Sequence, residues 1–97
     1  EILIGLVGSE MCIRDSRKID LDSDSLKYYL HRGYVIICNV GAGDFTDGGH
    51  YFVITGLDDQ GKLTIHDPYS SVRSAKHWNI VRVLNQTIAL YAFTTPD

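Results

Sequence analysis

Two short runs constrain this chain more than anything else in it: Gly48-Gly49-His50-Tyr51-Phe52-Val53-Ile54 and Leu63-Thr64-Ile65-His66-Asp67-Pro68. Both are rich in β-branched and aromatic residues, and between them lies Asp58-Asp59-Gln60-Gly61, a polar, Gly-terminated interval of the length that hairpins favour. If Leu57 and Lys62 close the hairpin as a direct pair, Asp67 falls opposite Phe52 and His50 becomes its diagonal neighbour. Side chains alternate along a strand, so His50, Phe52 and Asp67 then share one face. Diagonal positions lie roughly 7–8 Å apart at the backbone, within reach of an imidazole and a carboxylate. That is the base and orienting acid of a nucleophilic triad. A slip of one residue, such as a bulge beside Gly56 or Gly61 would introduce, puts the two groups on opposite faces.

The rest of the chain fits a single small domain. At 97 residues it can bury roughly 60–70% of its unfolded surface. A hydrophobic fraction of 44% and a charged fraction of 22% are ordinary for a globular protein. The net charge of −3 offers no basic stripe, which argues against nucleic acid as the main partner. No apolar run reaches the roughly 18 residues of a membrane span. The apolar opening, Glu1 to Val7, is short and lacks the basic start of a signal peptide.

Ser23 or Asp24 can cap a short helix over Ser25 to Arg32, with Leu26, Tyr29 and Leu30 on one face and Gly33 as its stop. Tyr34 to Val40 reads as a largely buried strand, and Gly41 to Gly49 as a flexible loop leading to His50. Beyond the hairpin, Pro68 to His77 reads as polar connection. A short helical stretch from Trp78 to about Gln86 would turn Ile80, Val81 and Leu84 to the core. Thr87 to Phe93 reads as the last strand.

Several candidate sites weigh little. The two cysteines, Cys12 and Cys38, make neither a disulfide framework nor a CxxC motif, and Cys38 sits mid-strand as a buried structural thiol. His66 alternates to the face opposite Asp67, so His50, His66 and Asp67 form a poor metal site. Asp44 and Asp47 are two acids without further calcium ligands. The Gly41–Gly49 loop lacks the spacing and the lysine of a phosphate-binding loop. His31 and His77 read as surface residues. His50 and Asp67 also have plain readings, one as a space-filling side chain and the other as a strand terminator before proline. The glycines before His50 would let its backbone approach another chain or a ligand.

On these residues the chain resembles the papain-like bacterial cysteine peptidases. The likeness is to the branch of the bacteriocin double-glycine leader peptidases and their free-standing relatives, the thirty-ninth cysteine peptidase family. The matching pieces are GYVIICNV over 33–40, GGHYFVITGLDDQGKLTIHDP over 48–68, and the positions Ser74 to Trp78 and Gln86; together they span about 26–93. The resemblance implies an α+β fold: the antiparallel sheet half of a papain-like peptidase with short flanking helices. It also implies His50 as general base and Asp67 as its orienter in a Cys-His-Asp mechanism on a peptide or protein substrate, with no metal or cofactor. The family's cysteine nucleophile and oxyanion-hole glutamine belong upstream of the histidine, and neither has a credible counterpart here.

Residues 7–16, Val-Gly-Ser-Glu-Met-Cys-Ile-Arg-Asp-Ser, resemble a translated sequencing-adapter string known from predicted proteins in assembled metagenomic data. The expectation is therefore a non-native or disordered segment over 1–16 and, over 17–97, the His- and Asp-bearing C-terminal half of a peptidase-like domain. Such a chain would have lost the N-terminal half of its own domain, would be inactive alone, and would show open apolar surface on the face presenting His50. Family analogy places the parent outside the cell or in its envelope. Two alternatives remain: a non-catalytic peptide-binding domain of the same fold, and an unrelated β-rich domain in which His50 and Asp67 lie far apart.

Overall fold

Val35–Val40 (β2) is the run with the least choice of environment, because Ile36, Ile37, Cys38 and Val40 are all buried and so both faces must be covered. It lies at the centre of a six-stranded antiparallel sheet of order β1-β6-β2-β3-β4-β5. The other strands are β1 (Asp15–Ile19), β3 (His50–Leu57), β4 (Leu63–His66), β5 (His77–Trp78) and β6 (Thr87–Thr94). Among the described residues there are three short helices: α1 (Ser23–His31), α2 (Ser71–Ala75) and α3 (Ile80–Leu84). This is a computed structural model, and it describes residues 15–46 and 48–94. The α+β class is as expected from the sequence.

One sheet face carries the main core. Ile36, Cys38 and Val40 of β2, Phe52 and Ile54 of β3, Leu63 and Ile65 of β4 and Leu90 and Ala92 of β6 meet Leu26 from α1 and Ile80 and Val83 from α3. The opposite face has a smaller cluster of Ile37, Val53 and Phe93, flanked by Val35, Tyr51 and Tyr91. Burying each large aliphatic or aromatic side chain is worth roughly 1.5–3 kcal/mol, so the helix-bearing face dominates stability.

The first described helix begins at Ser23, two residues earlier than read from the sequence. Asp22 is the cap, its carboxylate accepting from the Ser25 amide at 2.6 Å. Its end is as expected: Gly33 takes the left-handed φ of +82° that a side chain would resist. The Gly33 amide then reaches the Leu30 carbonyl and the Tyr34 amide the Tyr29 carbonyl, and the Tyr29 and Tyr34 rings meet edge to face.

Other elements differ from expectation. Strand β1 has no counterpart in the sequence reading because only Ile19 of its described side chains is buried, which leaves no alternation to detect. Its backbone pairing starts at Asp15, two residues inside the adapter-like string; residues 1–14, including most of that string and Cys12, lie outside the described residues. The stretch read as polar connection holds α2 and β5. Trp78 is not helical, and Val83 rather than Val81 turns inward, Val81 being 60% exposed.

The Gly41–Gly49 loop is anchored rather than merely flexible. Phe45 is buried, stacked on Phe52 with ring centroids 4.3 Å apart and against Trp78 at 4.6 Å. Asp44 accepts from Arg82 Nε and Nη2 at 2.6 and 2.7 Å and from Gln86 Nε2 at 2.9 Å. The Gln86 side chain returns an acceptor to the Asp44 amide at 2.8 Å. Phe45→Ala should therefore cost about 3–5 kcal/mol in urea unfolding and raise amide exchange across residues 41–49. A loss below about 1 kcal/mol would show that the loop is not part of the core.

Candidate active site

The position of His50 against Asp67 depends on register, and two departures from the simple pairing cancel. The hairpin closes with Leu57 opposite Leu63, not Lys62. Asp58 makes the difference: its carboxylate accepts from the Gln60 and Lys62 amides at 2.8 Å, and Gly61 takes φ +80°. That shift of one residue is undone at Thr55, where β3 carries an extra residue between Ile54↔Ile65 and Gly56↔Thr64. The bulged Thr55 hydroxyl is satisfied by the Thr64 carbonyl and hydroxyl at 3.1 and 2.9 Å. Beyond the bulge Val53 faces His66, and one further step sets Asp67 opposite Phe52, the arrangement expected from sequence.

His50 Nε2 lies 3.0 Å from Asp67 Oδ1. The carboxylate is fully buried and the imidazole 11% exposed. Oδ1 also accepts from the Tyr69 amide at 2.9 Å, and Oδ2 accepts from Arg73 Nε at 2.7 Å. Burial disfavours the ionised form of Asp67, but the Arg73 guanidinium, the Tyr69 N–H and His50 outweigh it and hold the carboxyl below its ordinary range. An ionised carboxylate only accepts, so Nε2 carries a proton, and in the neutral imidazole Nδ1 presents the lone pair. Nδ1 has no partner among the described residues. The pair therefore fixes the ring through one nitrogen and leaves the other uncommitted.

Arg73 is the member of this cluster that sequence reading missed. It is delivered by α2, five residues long with no buried side chain, which hydrogen bonds rather than packing hold in place. Ser70 caps it by accepting from the Arg73 amide at 3.0 Å. Ser74 Oγ accepts from the Asp67 amide at 2.7 Å and donates to the Ser70 carbonyl at 2.8 Å. Trp78 Nε1 donates to the Arg73 carbonyl at 3.1 Å. The available signal was the serine spacing after Asp67-Pro68, a turn followed by a capped helix.

The paired glycines make no close approach to the rest of the described chain. A Cβ at Gly48 or Gly49 would meet open space. His66 is exposed on the opposite face, as alternation requires, and His31 and His77 are exposed, although His77 Nδ1 meets Asp58 Oδ2 at 2.6 Å. Asp44 is engaged by Arg82 and then Gln86, which lower its pKa to about 2, and Asp47 lies outside the described residues.

A model of the Peptidase_C39 like family matches residues 12–93. The chain belongs to that family. No curated protein and no solved structure gives a significant match. For a Peptidase_C39-like chain the location of a thiol is the next question, and Cys38 does not answer it. It is buried on the core face of β2, 3.3 Å from Thr87 Oγ1. Thr87 Oγ1 donates to the Val83 carbonyl at 2.7 Å, so the Cys38 S–H is the donor to Thr87. Burial pushes the Cys38 thiol up to about 12, against a smaller opposing effect of Thr87.

The open apolar face expected around His50 is not found among the described residues, which counts against the expectation of a missing half-domain packed over it. Phe52 and Ile54 belong to the buried cluster with residues of α1 and α3, Phe45 and Trp78, and the exposed Tyr69 ring lies 5.5 Å, centroid to centroid, from the imidazole. The accessible side of the pair is thus the end of the sheet.

Two outcomes follow from this geometry. Arg73→Gln should lower stability by about 1–3 kcal/mol at pH 7. A depressed carboxyl stabilises the fold above its unfolded value of 3.8 and loses that contribution as pH falls through its folded value. The gap between wild type and R73Q in urea unfolding should therefore narrow as pH falls below 3.8; a gap that widened in acid would contradict the assignment. Iodoacetamide at pH 8 should leave Cys38 unmodified in the folded protein and alkylate it in urea, read by peptide mass spectrometry.

Proposed function

We propose that this chain carries the general-base half of a cysteine peptidase site, with His50 as base and Asp67 as its orienting acid. The observation that carries the reading is the 3.0 Å contact between His50 Nε2 and an Asp67 carboxylate that is buried, ionised and braced by Arg73. Membership of the Peptidase_C39-like family supports a peptide as substrate. In this reading a thiol approaching Nδ1 gives up its proton to His50, the thiolate adds to the peptide carbonyl, and His50 returns the proton to the amine as the C–N bond breaks, leaving an acyl-enzyme that water hydrolyses. Asp67, itself held by Arg73, orients the ring while it is positively charged.

The thiol would enter from the sheet end beside Tyr69, since the broad face is sealed. Cys38 is the wrong group for the task, and Cys12 has no family-like setting in sequence. The nucleophile and the oxyanion-hole residue of this reading are therefore not identified within residues 17–97, which we expect to be inactive alone. The competing reading is an interaction domain that keeps the His50–Asp67 pair without a thiol.

Joining the native upstream sequence to Arg17 separates the two. The peptidase reading requires a cysteine at a helix start there, and cleavage of a double-glycine leader peptide that iodoacetamide blocks. His50→Ala should lower kcat at least about a thousandfold. A serine or glycine at that position, or activity that survives H50A, would favour the interaction domain or another mechanism. The present chain should show no thiol-dependent cleavage.

A further inference from the structure

Four of the nine basic residues of this acidic chain converge on one groove, away from the exposed side of His50. The groove encloses about 440 Å³ and is lined by Lys62, Arg73, Lys76 and Arg82, with Trp78 and the carboxylate of Asp44. Asp44 neutralises Arg82, and Asp67 neutralises Arg73 from within. With Asp58, which meets His77 of the groove and the Lys62 amide, counted as well, four cations face three carboxylates and a net positive charge remains. Lys62 and Lys76 are exposed and have no ion-pair partner among the described residues; Lys76 Nζ lies 5.8 Å from the centroid of the Trp78 ring. Arg73 engages Asp67 only through Nε, so its two terminal nitrogens remain able to grip a second carboxylate as a fork.

The backbone that carries these charges suggests the ligand. Lys62 precedes β4 and Arg73 is fixed to Asp67 beyond its other end, so cations flank a strand whose backbone from 62 to 67 runs about 17 Å. One small anion cannot run the length of that strand. An extended peptide of about five residues can, placing an acidic side chain near each end and apolar stem against Trp78.

We propose that this groove binds an acidic peptide segment in extended conformation, with Lys62 and Lys76 supplying the unmatched charge and Arg73 the bidentate contact. The assignment does not rest on the peptidase reading, because it requires no bond to be cut. It does place a recognition element on the same arginine that braces Asp67.

Trp78 is the only tryptophan in the chain, so its fluorescence reports the groove directly. The probe is N-acetylated, C-amidated hexaglutamate titrated into the whole chain at low salt. Saturable binding is expected, weakening at least fivefold when salt rises from about 50 to 300 mM. K62E/K76E should lose at least tenfold in affinity, whereas the charge-matched control K18E/K27E, altered at exposed lysines elsewhere, should bind within twofold of wild type once corrected for net charge. Calorimetry of each variant guards against effects on the Trp78 signal, and thermal unfolding confirms folding. The proposal is overturned by no binding of hexaglutamate, by equal binding of hexaglutamine, or by equal losses in the two double variants. Competition by inorganic phosphate at concentrations comparable to the peptide would reduce the groove to a small-anion site, and tighter binding of hexathymidylate would reassign it to nucleic acid; either result also overturns it.

Discussion

A buried, ionised carboxylate is the costliest group in this fold, and the surroundings of Asp67 are organised around keeping it satisfied. Taking a carboxylate out of water costs several kcal/mol unless each oxygen finds donors. Here three arrive from separate pieces of chain: an imidazole from the start of β3, a guanidinium from α2 and an amide from the turn after β4. The dependence is mutual. Helix α2 buries no side chain of its own and is held by Ser70, Ser74, Arg73 and the Trp78 indole, so the carboxylate that needs the helix also keeps it in place.

The same carboxylate explains why register matters more here than hairpin closure. Sequence reasoning placed the closing pair at Leu57 and Lys62; Asp58 lengthens the turn, and the Thr55 bulge returns the strands to the assumed register before they reach His50. The bulge also returns Leu57 to the core side, where it packs against the main cluster. Two local irregularities were invisible in the alternation of apolar residues because they cancel. The functional end of the hairpin could be read correctly from a pattern that was wrong at its other end.

What was legible in the sequence were the features that bury a continuous apolar pattern: β2, β3, β4, β6, the α1 face and the structural character of Cys38. What was not legible lacks such a pattern. Strand β1 contributes one buried described side chain, β5 is two residues long, and α2 contributes none. Phe45 was passed over because one aromatic residue in a glycine-rich loop has no period. Its burial follows from Phe52 and Trp78 leaving a slot that only a distant residue can fill. Arg73 was missed for a related reason: its role is set by a carboxylate six residues earlier, brought back to it by a turn and one helical step.

The covered face of the sheet narrows how any reactive group can approach. Phe52, Ile54 and Ile36 belong to the buried cluster with residues of α1 and α3, so a further element cannot reach His50 by packing over that surface. Access is confined to the strand ends, where the imidazole is 11% exposed and Tyr69 stands beside it. A group arriving there meets Nδ1, because Nε2 is committed to Asp67. Arg73, on the far oxygen of that carboxylate, faces the cationic groove instead. The fold therefore has two separate approaches to one charge network, one to the ring nitrogen and one to the guanidinium, and a ligand on the second would be felt at the first only through Asp67.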